Sequence, residues 1–149
     1  MRVIGQAMDN TILLIEDNLS DIKLTQRAFQ KTSDANRIDV VNDGVQAFEY
    51  LFGKDGEDYI HELPTLILLD IKLPKVDGLE VLKRIREERR TELLPVVILT
   101  SSAEMSDIVT SYRLGANSYI RKPVNYDHFS ETVQKIGTYW MMLNERAIK

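Results

Sequence analysis

The chain has 149 residues, 44% of them hydrophobic, enough to pack one domain and too apolar for a disordered segment. It has no cysteine, which excludes disulfides, thiolate metal sites and cysteine nucleophiles, and its formal charge of −4 gives no basic footprint for nucleic acid. No apolar run is long enough to span a bilayer and no secretory h-region opens the chain, so a cytoplasmic protein without membrane or nucleic-acid partners is expected.

Residues 1–10 carry no pattern and read as an N-terminal extension, and residues 11–149 read as a single domain. Thr11-Ile12-Leu13-Leu14-Ile15 is a first apolar strand ending in Glu16-Asp17. Asn18 is placed to cap a helix whose inward face is Ile22, Thr25, Ala28 and Phe29. Arg37 to Val41 makes a short strand, Asp43-Gly44 a turn, and Phe48, Leu51 and Phe52 one face of a second helix. Gly53 to Pro64 is a long polar loop.

Thr65 to Asp70 follows, an apolar run suited to a strand buried on both faces, and it ends in a carboxylate. Asp77-Gly78-Leu79-Glu80 resembles a capping box, after which Leu79, Leu82 and Ile85 face inward and Lys83, Arg84, Glu87 and Glu88 face solvent. Pro95 to Thr100 is a fourth strand ending on a hydroxyl. Ser101 and Glu104 offer another capping box, and Met105, Ile108, Val109 and Tyr112 repeat at helical spacing up to Gly115. Asn117 to Ile120 is a fifth strand, closed by Arg121-Lys122-Pro123. Asn125 caps a last helix with the stripe Phe129, Val133, Ile136, Trp140 and Leu143, and the residues after Trp140 extend it. The regular alternation of strand and helix points to an α/β fold, a parallel sheet with helices on both faces.

In such sheets, ligands sit beyond the carboxyl ends of the strands. Four ends here are chemically informative: Glu16 and Asp17, Asp70, Thr100, and Lys122. Taken singly, each is an ordinary turn, cap or loop residue. Together they bring three carboxylates, a hydroxyl and an ammonium to one sheet edge. Carboxylates so close repel one another unless a cation intervenes, and Mg²⁺ suits carboxylate and carbonyl oxygens. A carboxylate is also a covalent acceptor for phosphoryl groups, whose transfer needs mainly positioning and charge neutralisation. Asp70 is the candidate acceptor, with Lys122 and Thr100 placed for the phosphoryl oxygens.

Ile-Glu-Asp-Asn, Leu-Leu-Asp-Ile-Lys-Leu-Pro-Lys-Val-Asp-Gly, Ile-Leu-Thr-Ser and Lys-Pro resemble the receiver (response regulator) domains of two-component signalling, from about Thr11 to Trp140. The resemblance implies a CheY-like, flavodoxin-like (βα)5 doubly wound fold with five parallel strands in the order 2-1-3-4-5. It implies that Asp70 takes phosphate from a histidine kinase. Asp17 directly, Glu16 partly through water, Asp70 and the backbone carbonyl of Lys72 would hold Mg²⁺ or Mn²⁺. Thr100, Ser101 and Lys122 would bind the phosphoryl group, Thr100 and Tyr119 match the switch pair, and Pro123 matches a proline usually preceded by a cis bond. Glu16 stands where Asp is commoner. Lys72, two residues beyond the acceptor, and the small Ser102 opposite are expected to lengthen the life of the phosphorylated state.

No output domain is expected beyond the extended last helix. Its Tyr139-Trp140-Met141-Met142-Leu143 run suggests a homodimer through the fourth helix, fifth strand and last helix. The loop before Pro64, the Asn125 to Phe129 segment and the aromatic end are similar to the small stand-alone regulators of phytochrome-type kinases. Three other readings are weaker. An Asp-nucleophile phosphatase normally carries a second Asp where Lys72 stands. A flavin binder needs a Ser/Thr/Gly-rich loop where Glu16 and Asp17 would repel phosphate. A phosphorylation-independent adaptor of the receiver fold is the alternative that a complete acceptor site argues against.

Overall fold

The computed structural model describes residues 10–32, 37–54 and 62–147. Most of the N-terminal extension and much of the loop before Pro64 lie outside them. The elements alternate as β1 (Thr11–Ile15), α1 (Leu19–Thr32), β2 (Arg37–Val41), α2 (Gly44–Phe52), β3 (Leu66–Leu69), α3 (Gly78–Glu87), β4 (Val96–Thr100), α4 (Met105–Arg113), β5 (Ser118–Arg121) and α5 (Tyr126–Gly137). All four strand pairings are parallel and the order is β2-β1-β3-β4-β5, the flavodoxin-like arrangement expected.

The period-2 rule divides the apolar strands between two cores. Leu13, Ile15, Ile67, Leu69, Val96 and Ile98 face α2 and α3, meeting Ala47, Leu51, Val81, Leu82 and Ile85. Ile12, Leu14, Leu66, Leu68, Val97 and Leu99 face α1 and α5, meeting Ile22, Phe29, Phe129, Val133 and Ile136. β3 is the central strand and is buried throughout, which fixes the position of Asp70 at its end.

The expected caps at Asn18, Asp77 and Asn125 are present, each accepting backbone N–H groups of the first turn. The Ser101–Glu104 box does not form. Glu104 itself is the cap residue of α4 and makes no side-chain cap, because Ser102 takes the local bonds instead, accepting from Glu104 N and donating to Asp107. The apolar repeat of α4 has the right period but no core beneath it. Only Ser111 is buried, while Met105 and Tyr112 are 69% and 50% exposed. Gly115, at φ 102, ends the helix in the left-handed conformation that favours glycine.

The last helix departs from its expected stripe. After Gly137 the backbone widens into a π-helical turn over Thr138–Leu143, closed by Asn144 N donating to Tyr139 O at 2.7 Å. The step from Ile136 to the next buried apolar side chain, Met141, is therefore five residues. Met141 is buried, Trp140 is half-buried, and Leu143 points out at 67% exposure. The helix does run on past Trp140, but in this wider form and only to Leu143. No described helix is long and apolar enough to cross a membrane.

Candidate functional site

The parallel topology gathers the strand ends along one edge, as expected. An open cleft of about 570 Å³ is lined there by Glu16, Asp17, Asp21, Asp70, Lys72, Ser101 and Lys122, with Asn18, Leu19 and Ser20 on its rim. Lys122 sits at its centre. Its Nζ donates to Glu16 Oε1 at 2.5 Å, Asp21 Oδ2 at 2.8 Å and Asp70 Oδ2 at 2.9 Å. The backbone of Lys122 is anchored in turn, its N–H donating to Thr100 O at 2.7 Å. Asp70 is buried, and its second oxygen accepts from Lys72 N at 3.0 Å. The turn after Asp70 is drawn tight by Gly78, whose N–H donates to Ile71 O, and a Cβ at that position would collide with the backbone of Asp70 and Ile71.

The electrostatics are unbalanced. Four carboxylates line the cleft (Glu16, Asp17, Asp21, Asp70) against two ammonium groups (Lys72, Lys122), which leaves two negative charges when all are ionised. Glu16 registers this. Burial first, then the charge of Asp70, pushes its carboxyl up to about 7, against the restraint of the Lys122 hydrogen bond and charge. Burial works to lower the Lys122 pKa, but hydrogen bonds to Asp21, Glu16 and Asp70 outweigh it and the net shift is upward. Among the described residues, no group of three Asp, Glu or His side chains is arranged to hold a metal ion, and the Lys122 ammonium stands between Glu16, Asp21 and Asp70. The donor set still fits a hard divalent cation: it is all oxygen, it lies in an open cleft, and its excess charge is that of one such ion.

Thr100 is fully buried beneath the cleft, and its Oγ1 accepts from Ser102 N at 3.4 Å. Ser101 is exposed on the cleft wall. Tyr119 is half-buried, its hydroxyl donating to Ser102 O at 2.9 Å, and burial raises its pKa. Ser102 thus links β4, α4 and Tyr119. Lys72 does not reach over Asp70: its Nζ lies 3.5 Å from Asp107 Oδ2 on α4. Pro123 is a correction. Among the described residues there is no cis peptide bond, so the Lys122–Pro123 bond is trans, the isomer favoured for most X–Pro bonds. Sequence reasoning confined to strand ends missed Asp21 and Asp107, each in the first turn of a helix.

The model of the response regulator receiver domain matches residues 12–134. The chain belongs to this family. Probable methanogenesis regulatory protein FilR2 of Methanothrix harundinacea is 40% identical over 133 residues, covering 89% of this receiver and 84% of FilR2. Response regulator Rcp1 of Synechocystis sp. is 36% identical over 130 residues, covering 87% of this receiver and 88% of Rcp1. Among solved structures, the phosphorylated cyanobacterial phytochrome response regulator RcpA superposes with a TM-score of 0.89 at 36% identity, over 95% of this receiver and 100% of RcpA. The Mn²⁺-bound form of Rcp1 gives a TM-score of 0.87 at 34% identity, over 93% and 99% of the two chains. The receiver is a signalling domain of two-component systems, with the CheY-like fold and strand order anticipated from its motifs.

Proposed function

We propose that this receiver accepts a phosphoryl group on Asp70 from the phosphohistidine of a histidine kinase. The observation that carries this reading is the buried Asp70 carboxylate at the end of the central strand, held 2.9 Å from the Lys122 ammonium. In the step itself a carboxylate oxygen bonds to phosphorus as the P–N bond breaks, and the electron pair returns to the imidazole nitrogen. Lys122 neutralises charge at the acceptor, and Thr100 and Ser101 supply hydroxyls to the phosphoryl oxygens. Asp17, Glu16, Asp70 and the Lys72 carbonyl would hold Mg²⁺ or Mn²⁺, which supplies charge neutralisation and alignment of the phosphoryl group when bound. Rearrangement of Thr100 and Tyr119 then changes the surface near α4, biasing an equilibrium that exists without phosphate.

RcpA is a phytochrome response regulator, which supports a phytochrome-type kinase as the partner. The surface of α4, β5 and α5 supports a homodimer, because Met105 and Tyr112 of α4 are exposed and Tyr139 of the π-turn lies exposed beside Ser118 and Ile120 of β5. Lys72 with Ser102 tunes the life of the phosphoryl group. Lys72→Asn shortens it.

Incubation with acetyl phosphate and Mg²⁺, read by intact mass, tests the central reading. A single phosphate adduct is expected on wild type and none on Asp70→Asn or without the metal. No adduct on folded wild type sinks the reading and favours the phosphorylation-independent adaptor. Light scattering of the phosphorylated protein checks the dimer, and a monomer counts against it.

A further inference from the structure

Lys72 has anions on two sides. Lys72 lines the cleft, its backbone N–H donating to Asp70 Oδ1, yet its Nζ is 3.5 Å from Asp107 Oδ2 in the first turn of α4. The two partners differ in freedom: the Lys72 side chain is 62% exposed and that of Asp107 only 15%. Asp107 is also fixed by Ser102, whose hydroxyl donates to the same Oδ2 at 2.6 Å. The carboxylate is the anchored member of the pair and the ammonium the mobile one. So exposed an ion pair is weak, and a phosphoryl group on Asp70 brings about two negative charges to compete for the same ammonium.

We propose that Asp107 is a positioning residue for Lys72, holding the ammonium off the acceptor and thereby setting how long a phosphoryl group survives on Asp70. The inference rests on the phosphoacceptor reading above. In the decay step, water attacks phosphorus, the bond between phosphorus and the Asp70 oxygen breaks, the carboxylate is restored, and inorganic phosphate leaves with the proton. An ammonium drawn over the phosphoryl group obstructs that water. The share of time Lys72 spends there depends on how firmly Asp107 competes for it.

The decay of the acetyl-phosphate adduct, followed by intact mass after donor removal, tests this in a double-mutant cycle. Asp107→Asn removes the charge but keeps an oxygen that accepts the Ser102 hydroxyl, so the loop contact survives while the ion pair is lost. Decay of Asp107→Asn is expected to be about threefold slower than wild type, the scale of an exposed ion pair. In the Lys72→Asn background the same change is expected to do nothing, whereas Lys72→Arg, which keeps a cation, retains the sensitivity. A wild-type decay rate for Asp107→Asn, or equal slowing with and without Lys72, overturns the inference alone. Absence of any adduct on folded wild type removes the phosphoacceptor reading and this inference together.

Discussion

Glu16 offers a direct test of the charge imbalance in the cleft. Its carboxyl is raised from an ordinary 4.5 to about 7, by burial and then by Asp70. A carboxyl with a raised folded-state pKa contributes its stability below the unfolded value and loses it as pH climbs through the folded one. Between pH 5.5 and 7 the folded protein holds a proton the unfolded chain has released. At about 1.4 kcal/mol for each pH unit of that interval the loss is about 2 kcal/mol. Water in the open cleft trims the figure to between about 1 and 2 kcal/mol. Urea denaturation at pH 5.5, 6.5 and 8, without metal, should therefore show wild type losing this amount relative to Glu16→Gln, which carries no titrating proton there. Mg²⁺ should stabilise wild type more at pH 8 than at pH 5.5, since protons and metal compete for the same oxygens. A wild-type minus Glu16→Gln difference that is flat across the range, or that rises with pH, would refute the account of an over-charged site.

Three further measurements probe the scaffold. Met141→Ala should cost about 2 kcal/mol or more in denaturant midpoint analysis while Leu143→Ala costs under about 0.5 kcal/mol; the reverse ranking would restore the regular helical stripe. Gly78→Ala should destabilise by about 2 kcal/mol or more and lower the yield of phosphate adduct, since its Cβ meets the backbone of Asp70 itself; unchanged stability and yield would show that the turn yields. Arg86→Met should cost about 2 kcal/mol by thermal melting, because the half-buried guanidinium donates to Gly115 O, Glu92 O and Asn117 Oδ1, two of them carbonyls left without this donor.

The sheet was legible because its buried strands are short apolar runs, and a run that stops at Glu16, Asp70 or Thr100 marks both the strand end and the cleft. The same logic hid Asp21 and Asp107. Each stands at an exposed-looking helix position, and only the packing of α1 and α4 against the strand ends brings it to Lys122 or Lys72. Periodicity identified α4 as a helix but not the absence of a core beneath it, since a stripe reads alike whether a sheet or a partner covers it. Arg84, expected on the solvated face of α3, lies instead over the rings of Phe48 and Phe52, at 4.7 and 4.4 Å from their centroids. At the C-terminus, the fixed 3.6-residue period carried the stripe to Leu143, and the widened turn shifted the buried side chain to Met141.

The unequal anchoring of β3 and α4 places the two halves of the site on different clocks. Every residue of β3 is buried in the middle of the sheet, so its amides should exchange with solvent only when the whole domain opens. α4 buries Ser111 alone, so its amides should exchange by local opening, well ahead of those of β3. Asp70 thus ends a strand buried along its whole length, whereas the helix whose Asp107 pairs with Lys72 is held to the domain by one buried side chain.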